Sequence, residues 1–201
     1  MVRILNLDTS TTVCSVALAE NGETVANRLT YEDKSHAAQL TQLIESVLKD
    51  QSITANDLDA VAVSKGPGSY TGLRIGVSVA KGICYGIKKP LISVDTLKII
   101  ALNAKSTLAE DDLICAMIDA RRMEVYSAIY DKTIANVRPV KAEIITSESF
   151  DEYLQQAPLY FCGNGALKCK DVIDHANARF IENIHPLASF MAAESYAAFN
   201  E

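Results

Sequence analysis

The chain has 201 residues, of which 49% are hydrophobic and 22% are charged, and its formal net charge is −6. This apolar content is sufficient for a sizeable core and excludes extended disorder, while the acidic balance argues against a broad basic surface for nucleic acid. The five cysteines show no C-x-x-C spacing, and no apolar run is long enough to span a membrane. With no recognisable secretory signal, these features predict a soluble cytoplasmic protein in a reducing compartment.

The first thirty residues predict three antiparallel strands. Residues 4–8 form an apolar strand that ends at an aspartate, a polar turn follows, and residues 13–18 form the second strand. Asn21-Gly22 predicts a tight turn before a third strand at residues 24–30.

An amphipathic helix is predicted at residues 35–49. Ser35 is placed to cap this helix, and Leu40 and Leu43 lie on its apolar face. His36 lies at the edge of that face, where a histidine is more often a packed or interface residue than a metal ligand. No histidine pair in the chain has the spacing of metal ligands, so no metal site is predicted.

The centre of the chain predicts a buried strand, a glycine loop and a helix. Residues 60–63 are apolar and rich in β-branched residues, Gly66-Pro67-Gly68 interrupts regular structure, and Ser69 or Thr71 can cap the helix. A loop before a helix can hold an anion on free amide groups. The glycine spacing fits neither a P-loop nor a dinucleotide fingerprint, which favours a structural turn built by Gly66, Pro67, Gly68 and Gly72.

The helix after this loop is apolar over an arc of roughly 220°, wider than its own sheet can cover. Gly72, Gly76 and Ala80 fall four residues apart and form a row of small side chains along one flank. Interior glycines weaken a helix, so a close approach by another backbone is the natural compensation. The second neighbour is either another helix of this chain or another subunit.

The second half opens as the first does. Residues 113–119 form an apolar strand that ends at Asp119, and residues 124–130 form the next strand after a short turn. This weak internal repeat, with strands and helices alternating, predicts an α/β fold of two lobes, residues 1–104 and 105–201. A strand at residues 141–146, a capping box at residues 149–152 and a last helix at residues 187–199 complete the chain.

Three motifs resemble the TsaB (YeaZ) family, whose members take part in making threonylcarbamoyladenosine (t6A) in bacterial tRNA. The string from Gly66 to Gly76 resembles the family signature, Asp8-Thr9-Ser10-Thr11 resembles its opening motif, and residues 119–126 resemble a third. Met123 stands where the family usually has glycine, which indicates a differently built turn.

The resemblance implies a fold and a set of nucleotide-binding positions. The fold is the two-lobed actin-like ATPase (ribonuclease H-like) fold with mixed sheets, here with a reduced second lobe. In that superfamily the paired hairpins hold nucleotide phosphates, which would place Asp8, Thr9, Thr11 and Asp119 at such a site. The resemblance implies no cofactor on this chain itself, and ATP or ADP only at the interface of a complex.

The resemblance also implies a role without catalytic residues. The related transferase TsaD carries two histidines four residues apart, and the matching positions here are Thr96 and Ile100, which cannot ligate a transition metal. The chain is therefore expected to be a non-catalytic scaffold that binds TsaD and supports threonylcarbamoyl transfer to the adenosine next to the anticodon. It would join TsaE in a larger complex, meet tRNA indirectly, and form a homodimer when alone.

The two central helices supply the predicted partner interface. Its residues are His36, Leu40, Leu43, Tyr70, Leu73, Arg74, Val77, Ala80, Lys81 and Cys84. Substituting a charged residue at Val77 or Ala80 is expected to weaken the heterodimer with TsaD without unfolding the monomer.

Three other functions compete with the scaffold. An autonomous ATPase or kinase could use Asp8 and Asp119 for magnesium and phosphates. A peptidase is disfavoured because Ser69 lacks a G-x-S-x-G setting. A simple dimeric interaction module fits the physical pattern nearly as well as the scaffold does.

Overall fold

The computed structural model describes residues 1–31, 36–109 and 112–201. These residues form two five-stranded mixed sheets, each in its own compact unit. Unit 1 comprises residues 1–99 and 186–201, and unit 2 comprises residues 100–185. Ser35, the predicted cap of the first helix, lies outside the described residues.

The sheet of unit 1 contains the first five strands in the order β3-β2-β1-β4-β5. Strands β1, β2 and β3 are antiparallel neighbours, whereas β1, β4 and β5 run parallel. The predicted turn before β3 is confirmed, with positive φ at Asn21 and Gly22. The strands are β1 (Arg3–Asp8), β2 (Cys14–Glu20), β3 (Glu23–Thr30), β4 (Ala60–Ser64) and β5 (Leu91–Val94).

Two helices cover one face of this sheet because each turns its apolar side toward it. They are α1 (His36–Asp50) and α2 (Tyr70–Ile87). Leu40 and Val47 of α1 and Ala80 of α2 pack with strand residues such as Leu5 and Val61 in one buried cluster. Ser69 caps α2, its side chain accepting a hydrogen bond from the backbone N–H of Gly72.

The end of the chain covers the opposite face of the same sheet. A short 3₁₀ turn at Ala188–Met191 leads into helix α5 (Ala192–Phe199). Ala188 and Met191 pack against Ile4 and Ile92, and the Ala188 N–H donates to Ser15 Oγ at 2.9 Å. The predicted lobe ranges placed this segment in the second lobe, whereas its contacts assign it to unit 1. Helix α3 (Thr96–Ala104) contains the boundary between the units.

Unit 2 repeats the topology of unit 1. Its sheet has the order β8-β7-β6-β9-β10, with β6, β7 and β8 antiparallel and β6, β9 and β10 parallel. The internal repeat predicted from the two aspartate-ending strands is therefore present in the fold. The strands are β6 (Leu113–Asp119), β7 (Glu124–Tyr130), β8 (Asn136–Ile144), β9 (Leu159–Cys162) and β10 (Ala178–Ile181).

The second unit contains the elements that the sequence predicts least accurately. Strand β8 starts five residues before the predicted one, and β10 has no predicted counterpart. The predicted capping box is wrong, because helix α4 (Asp151–Leu154) has Phe150 at its N-cap with φ of 69° and no side-chain cap. Ser149 instead accepts a hydrogen bond from the Thr146 N–H.

All five cysteines are free and buried, as expected of small apolar side chains. Burial raises the pKa of the Cys14 thiol to about 11 and that of Cys162 to about 12. Within the described residues, none of the helices is long and apolar enough to cross a membrane.

Candidate functional site

The turn between β1 and β2 contains the predicted nucleotide-binding residues of unit 1, and it is closed. Asp8 and Thr9 have no exposed surface, and Thr11 is 6% exposed. The Asp8 carboxylate accepts hydrogen bonds from the N–H of Ser10 at 3.1 Å and from its hydroxyl at 3.0 Å. The Thr9 hydroxyl donates to the Gly72 carbonyl at 2.8 Å. The polar groups of this turn are thus bonded to the protein itself.

Burial changes the acidity of this turn. Desolvation raises the pKa of Asp8 from 3.8 to about 6, against the lowering effect of the nearby Ser64 hydroxyl and of the Ser10 N–H and hydroxyl. Among the residues that the structure describes, the buried Ser64 hydroxyl has no hydrogen-bond partner. A carboxylate held this way is costly to ionise.

The glycine loop and the start of α2 close the turn. The Ser69 N–H donates to the Ser10 carbonyl at 2.7 Å. A Cβ added at Gly68 would lie 2.4 Å from the Ser10 carbonyl oxygen, and one at Gly72 would lie 2.1 Å from the Thr9 carbonyl oxygen. A Cβ at Gly76 would lie 2.4 Å from the Thr9 hydroxyl. Gly68 and Gly72 are needed because backbone packs directly on backbone, and Gly76 leaves room for the Thr9 side chain.

The same contacts correct one sequence prediction. The row of Gly72, Gly76 and Ala80 does not face a partner, because the chain's own β1–β2 turn and core cover it. Leu40 and Ala80 have no exposed surface and Cys84 is 8% exposed, so these three predicted interface residues are not available to a partner. The small residues admit the chain's own backbone instead.

The rest of the predicted interface is accessible to different degrees. Tyr70, Arg74 and Lys81 are exposed, and the Arg74 guanidinium lies 5.3 Å from the centre of the Tyr70 ring. His36 is half-buried, and its Nε2 lies 2.8 Å from the Thr11 carbonyl oxygen. The remaining members, Leu43, Leu73 and Val77, are also half-buried.

Two glycines on the outer face of α2 have a different environment. Apart from the backbone of α2 itself and the neighbouring residues in sequence, no described atom lies within 4 Å of a Cβ placed at Gly82 or Gly86. Tyr85, between them in sequence, is 90% exposed. We define the α1–α2 surface as the exposed face formed by Ala37, Tyr70, Arg74, Ser78, Lys81, Gly82, Tyr85 and Gly86. Its cavity of about 380 Å³, between the start of α1 and α2, is lined by Ala37, Thr71, Arg74, Ile75, Ser78 and Val79.

Asp119, the predicted nucleotide-binding residue of unit 2, lies in an open turn between β6 and β7. Its side chain is 45% exposed and pairs with the Lys168 ammonium. Burial alone would raise the pKa of Asp119, but hydrogen bonds from Lys168 and from the Arg121 N–H, with both positive charges, outweigh it and lower the pKa. Among the described residues, no group of three acidic, histidine or cysteine side chains could hold a metal ion.

Comparison with known proteins identifies the family. The family model "TsaD: tRNA N6-adenosine threonylcarbamoyltransferase" matches residues 24–194. The chain is 37% identical to the tRNA threonylcarbamoyladenosine biosynthesis protein TsaB of Bacillus subtilis over 63% of this chain and 54% of that protein. It is 39% identical to the TsaB of Haemophilus influenzae over 61% of this chain and 51% of that protein. The matches thus span about half the length of these curated relatives.

Solved structures agree with this assignment. A solved structure of YeaZ from Pseudomonas aeruginosa superposes with a TM-score of 0.85 at 26% identity, covering 100% of this chain and 93% of that one. An activator of 2-hydroxyisocaproyl-CoA dehydratase from Clostridium difficile, with bound ADPNP, shares the fold alone, with a TM-score of 0.55 at 9% identity over 98% of this chain and 96% of that one. The predicted actin-like ATPase fold is thereby confirmed. The chain belongs to the TsaD family, and within it to the TsaB (YeaZ) proteins that its signature residues resemble.

Proposed function

We propose that this protein is a non-catalytic scaffold subunit in the biosynthesis of t6A in tRNA, and that it supports a TsaD subunit by binding it. The names of the similar TsaB proteins support the pathway. The α1–α2 surface is the proposed binding face. When TsaD is absent, a second copy of this chain occupies the same face.

The exposed glycines of α2 carry the proposal. Each interior glycine costs a helix about 1 kcal/mol relative to alanine. At Gly72 and Gly76 packing within unit 1 explains that cost, but at Gly82 and Gly86 nothing in the described chain does. A helix from a partner could approach closely there, and the adjacent Tyr85 would supply a large rigid contact. Glycines of this kind are what a tight intermolecular helix contact requires.

The closed β1–β2 turn supports the absence of catalysis on this chain. A phosphate or magnesium ion would need access to Asp8, Thr9 or Thr11, but all three are buried and the glycine loop with the start of α2 packs on Thr9 and Ser10. We therefore propose that this chain binds no nucleotide by itself, and that ATP or ADP binds only where the complex forms. Calorimetry with ATP would contradict this if the isolated chain bound tightly and Asp8→Ala abolished binding.

Reconstitution tests the function directly. In vitro modification of tRNA is measured with this chain alone, with TsaD and TsaE alone, and with all three together. Activity only in the full mixture supports the scaffold role. Equal activity without this chain would contradict it, and activity of this chain alone would make it an enzyme.

A further inference from the structure

The turn between β6 and β7 exposes two arginines whose guanidinium groups form no ion pair with the described residues. The chain has seven arginines, and five of them contact a carboxylate, a carbonyl or an aromatic ring: Arg3, Arg28, Arg74, Arg138 and Arg179. Among the described residues, the guanidinium groups of Arg121 and Arg122 make no hydrogen bond or ion pair, and both side chains are exposed.

Both arginines also have an unfavourable backbone. Arg121 has φ of 73° and Arg122 has φ of 48°, in the left-handed region that favours glycine. Strained residues of this kind persist where the surrounding structure fixes them, and they concentrate at functional sites. Met123, where the family usually has glycine, is not in this region.

Several hydrogen bonds hold the turn in place. The Asp119 carboxylate accepts from the Arg121 N–H at 2.9 Å, and the Asp119 N–H donates to Asn164 Oδ1 at 3.0 Å. Lys168 donates to the Asp119 carboxylate and to the Glu124 carbonyl. Lys168 forms the ion pair with the Asp119 carboxylate, and Arg121 acts on that carboxylate only through its charge and its backbone N–H. The hydrogen bonds therefore fix the backbone from which both guanidinium groups extend.

The arginines lie beside a cavity and an apolar surface. The cavity has a volume of about 510 Å³ and is lined by Ala120, Arg121, Arg122, Met123, Glu124 and Ile144. Ile144 is 71% exposed, and Tyr126 is 38% exposed. Ile144 pairs with Glu124 across β7 and β8 and Tyr126 pairs with Ala142, so both side chains lie on the same face of the sheet. The site thus combines positive charge, a tyrosine ring and an acidic acceptor at Glu124.

We propose that this turn, with Ile144 and Tyr126, is a binding site for RNA, in which Arg121 and Arg122 contact backbone phosphates. Arginine binds phosphate through two parallel hydrogen bonds, and an exposed aromatic ring can stack on an unpaired base. The Glu124 carboxylate repels phosphate but can accept from a base amino group or a ribose hydroxyl. The choice of RNA over other polyanions rests on the proposed function. At this site tRNA would contact this subunit directly, and not only through the other subunits of the complex.

The test measures RNA binding by the 201-residue chain without TsaD, so its result does not depend on the α1–α2 surface. Fluorescence anisotropy follows a labelled tRNA anticodon stem-loop at salt concentrations from 50 to 200 mM, chosen as about the range in which phosphate contacts show a clear salt dependence. The wild-type chain is compared with Arg121→Gln/Arg122→Gln. A matched control, Lys170→Gln/Arg179→Gln, removes the same charge near β10, an edge strand of the same sheet that does not flank the arginine turn.

We expect the arginine variant to bind RNA about tenfold more weakly at 50 mM salt and to lose between one and two units of the salt slope. The control variant should change neither quantity by more than about twofold, as expected for charges that touch no phosphate. Arg121→Gly/Arg122→Gly, which allows positive φ, should lose RNA binding without losing thermal stability and so separates binding from folding.

Other outcomes would overturn the proposal. These are no measurable RNA binding by the wild-type chain, equal losses in the control, or competition by AMP as effective as that by RNA at equal phosphate concentration. Loss of binding to polyglutamate with RNA binding unchanged would identify an acidic protein segment instead. None of these results would affect the TsaD contact, which is measured separately.

Discussion

The two units have the same strand order, but the turn after the first strand is buried in unit 1 and exposed in unit 2. In unit 1 the turn is buried under the glycine loop, and the pKa of Asp8 is raised to about 6. In unit 2 the turn is open, Asp119 pairs with Lys168, and its pKa is lowered. The difference follows from the segment after the corresponding strands β4 and β9. The 18-residue helix α2 follows β4 in unit 1, whereas a three-residue 3₁₀ turn follows β9 in unit 2. A repeated topology therefore supports a closed structural turn in one unit and an exposed one in the other.

The largest expected change in stability comes from adding a side chain where a glycine packs on the first strand of its unit or on the turn after it. Gly72→Ala should lower the free energy of unfolding by about 3 kcal/mol or more, because its Cβ would overlap the Thr9 carbonyl. Gly163→Ala should do the same in unit 2, where φ is 92° and the Cβ would lie 2.2 Å from the Met117 carbonyl oxygen. Urea unfolding measures both. Gly82→Ala, in the same helix as Gly72, is the control and should raise stability by about 1 kcal/mol.

The pH dependence of stability should also distinguish the buried turn from the open one, beginning with Asp8. The folded-state pKa of Asp8 is raised above its unfolded value, so its neutral form favours folding, and this contribution is lost as the pH rises from 3.8 to about 6. A shift of this size corresponds to about 3 kcal/mol, and Asp8→Asn should remove that part of the pH dependence. Unfolding free energies at pH 4, 5, 6 and 7 measure the effect. Identical pH profiles of the wild type and Asp8→Asn would contradict the burial argument.

A smaller effect is expected at the open turn. Arg121→Gly/Arg122→Gly should raise the free energy of unfolding by about 0.5 to 1 kcal/mol, since relief of left-handed strain exceeds the added entropy of the unfolded chain. Thermal unfolding measures the gain. A clear loss of stability would mean that the arginine side chains contribute to the fold of unit 2.

The smallest effect is expected for Asp119. Its pKa is lowered, so its contribution to stability is present above the unfolded pKa and is lost as the pH falls through the lower folded value. Asp119→Asn should therefore reduce stability at pH 7 and not at all in strong acid. The loss at pH 7 should be slight, because solvent screens this half-exposed carboxylate. A pH trend with the same sign as that of Asp8 would contradict the contrast between the turns.

The sequence predicts the fold well where the signal is local. Two apolar strands that end in aspartate, the turn at Asn21-Gly22 and the capped helix α2 are all present. Strand β10 is missed because Ala178–Ile181 is a four-residue edge strand formed only by pairing with β9. Its backbone pairing is not encoded in a periodic pattern.

The candidate site shows a different limit of sequence analysis. Helical periodicity indicates that α2 is apolar around most of its surface but not which part its own unit covers. Gly72 and Gly82 belong to the same helix, yet a Cβ would meet backbone at the first and open space at the second. The predicted partner residues Ala80 and Cys84 are buried in the core of unit 1 instead, which the periodicity could not indicate. The sequence signal for the α1–α2 surface was the pair Gly82 and Gly86 close to Tyr85 in the same helix.

The most direct test of the scaffold role is the affinity of this chain for TsaD, measured by calorimetry with Gly82→Ala/Gly86→Ala. Leu167→Ala, which removes an exposed apolar side chain from unit 2, is the control. We expect the glycine variant to be more stable as a monomer and to bind TsaD about tenfold more weakly or worse, because two added methyl groups prevent close helix contact. Unchanged affinity in this more stable variant would contradict the α1–α2 surface as the site of partner binding.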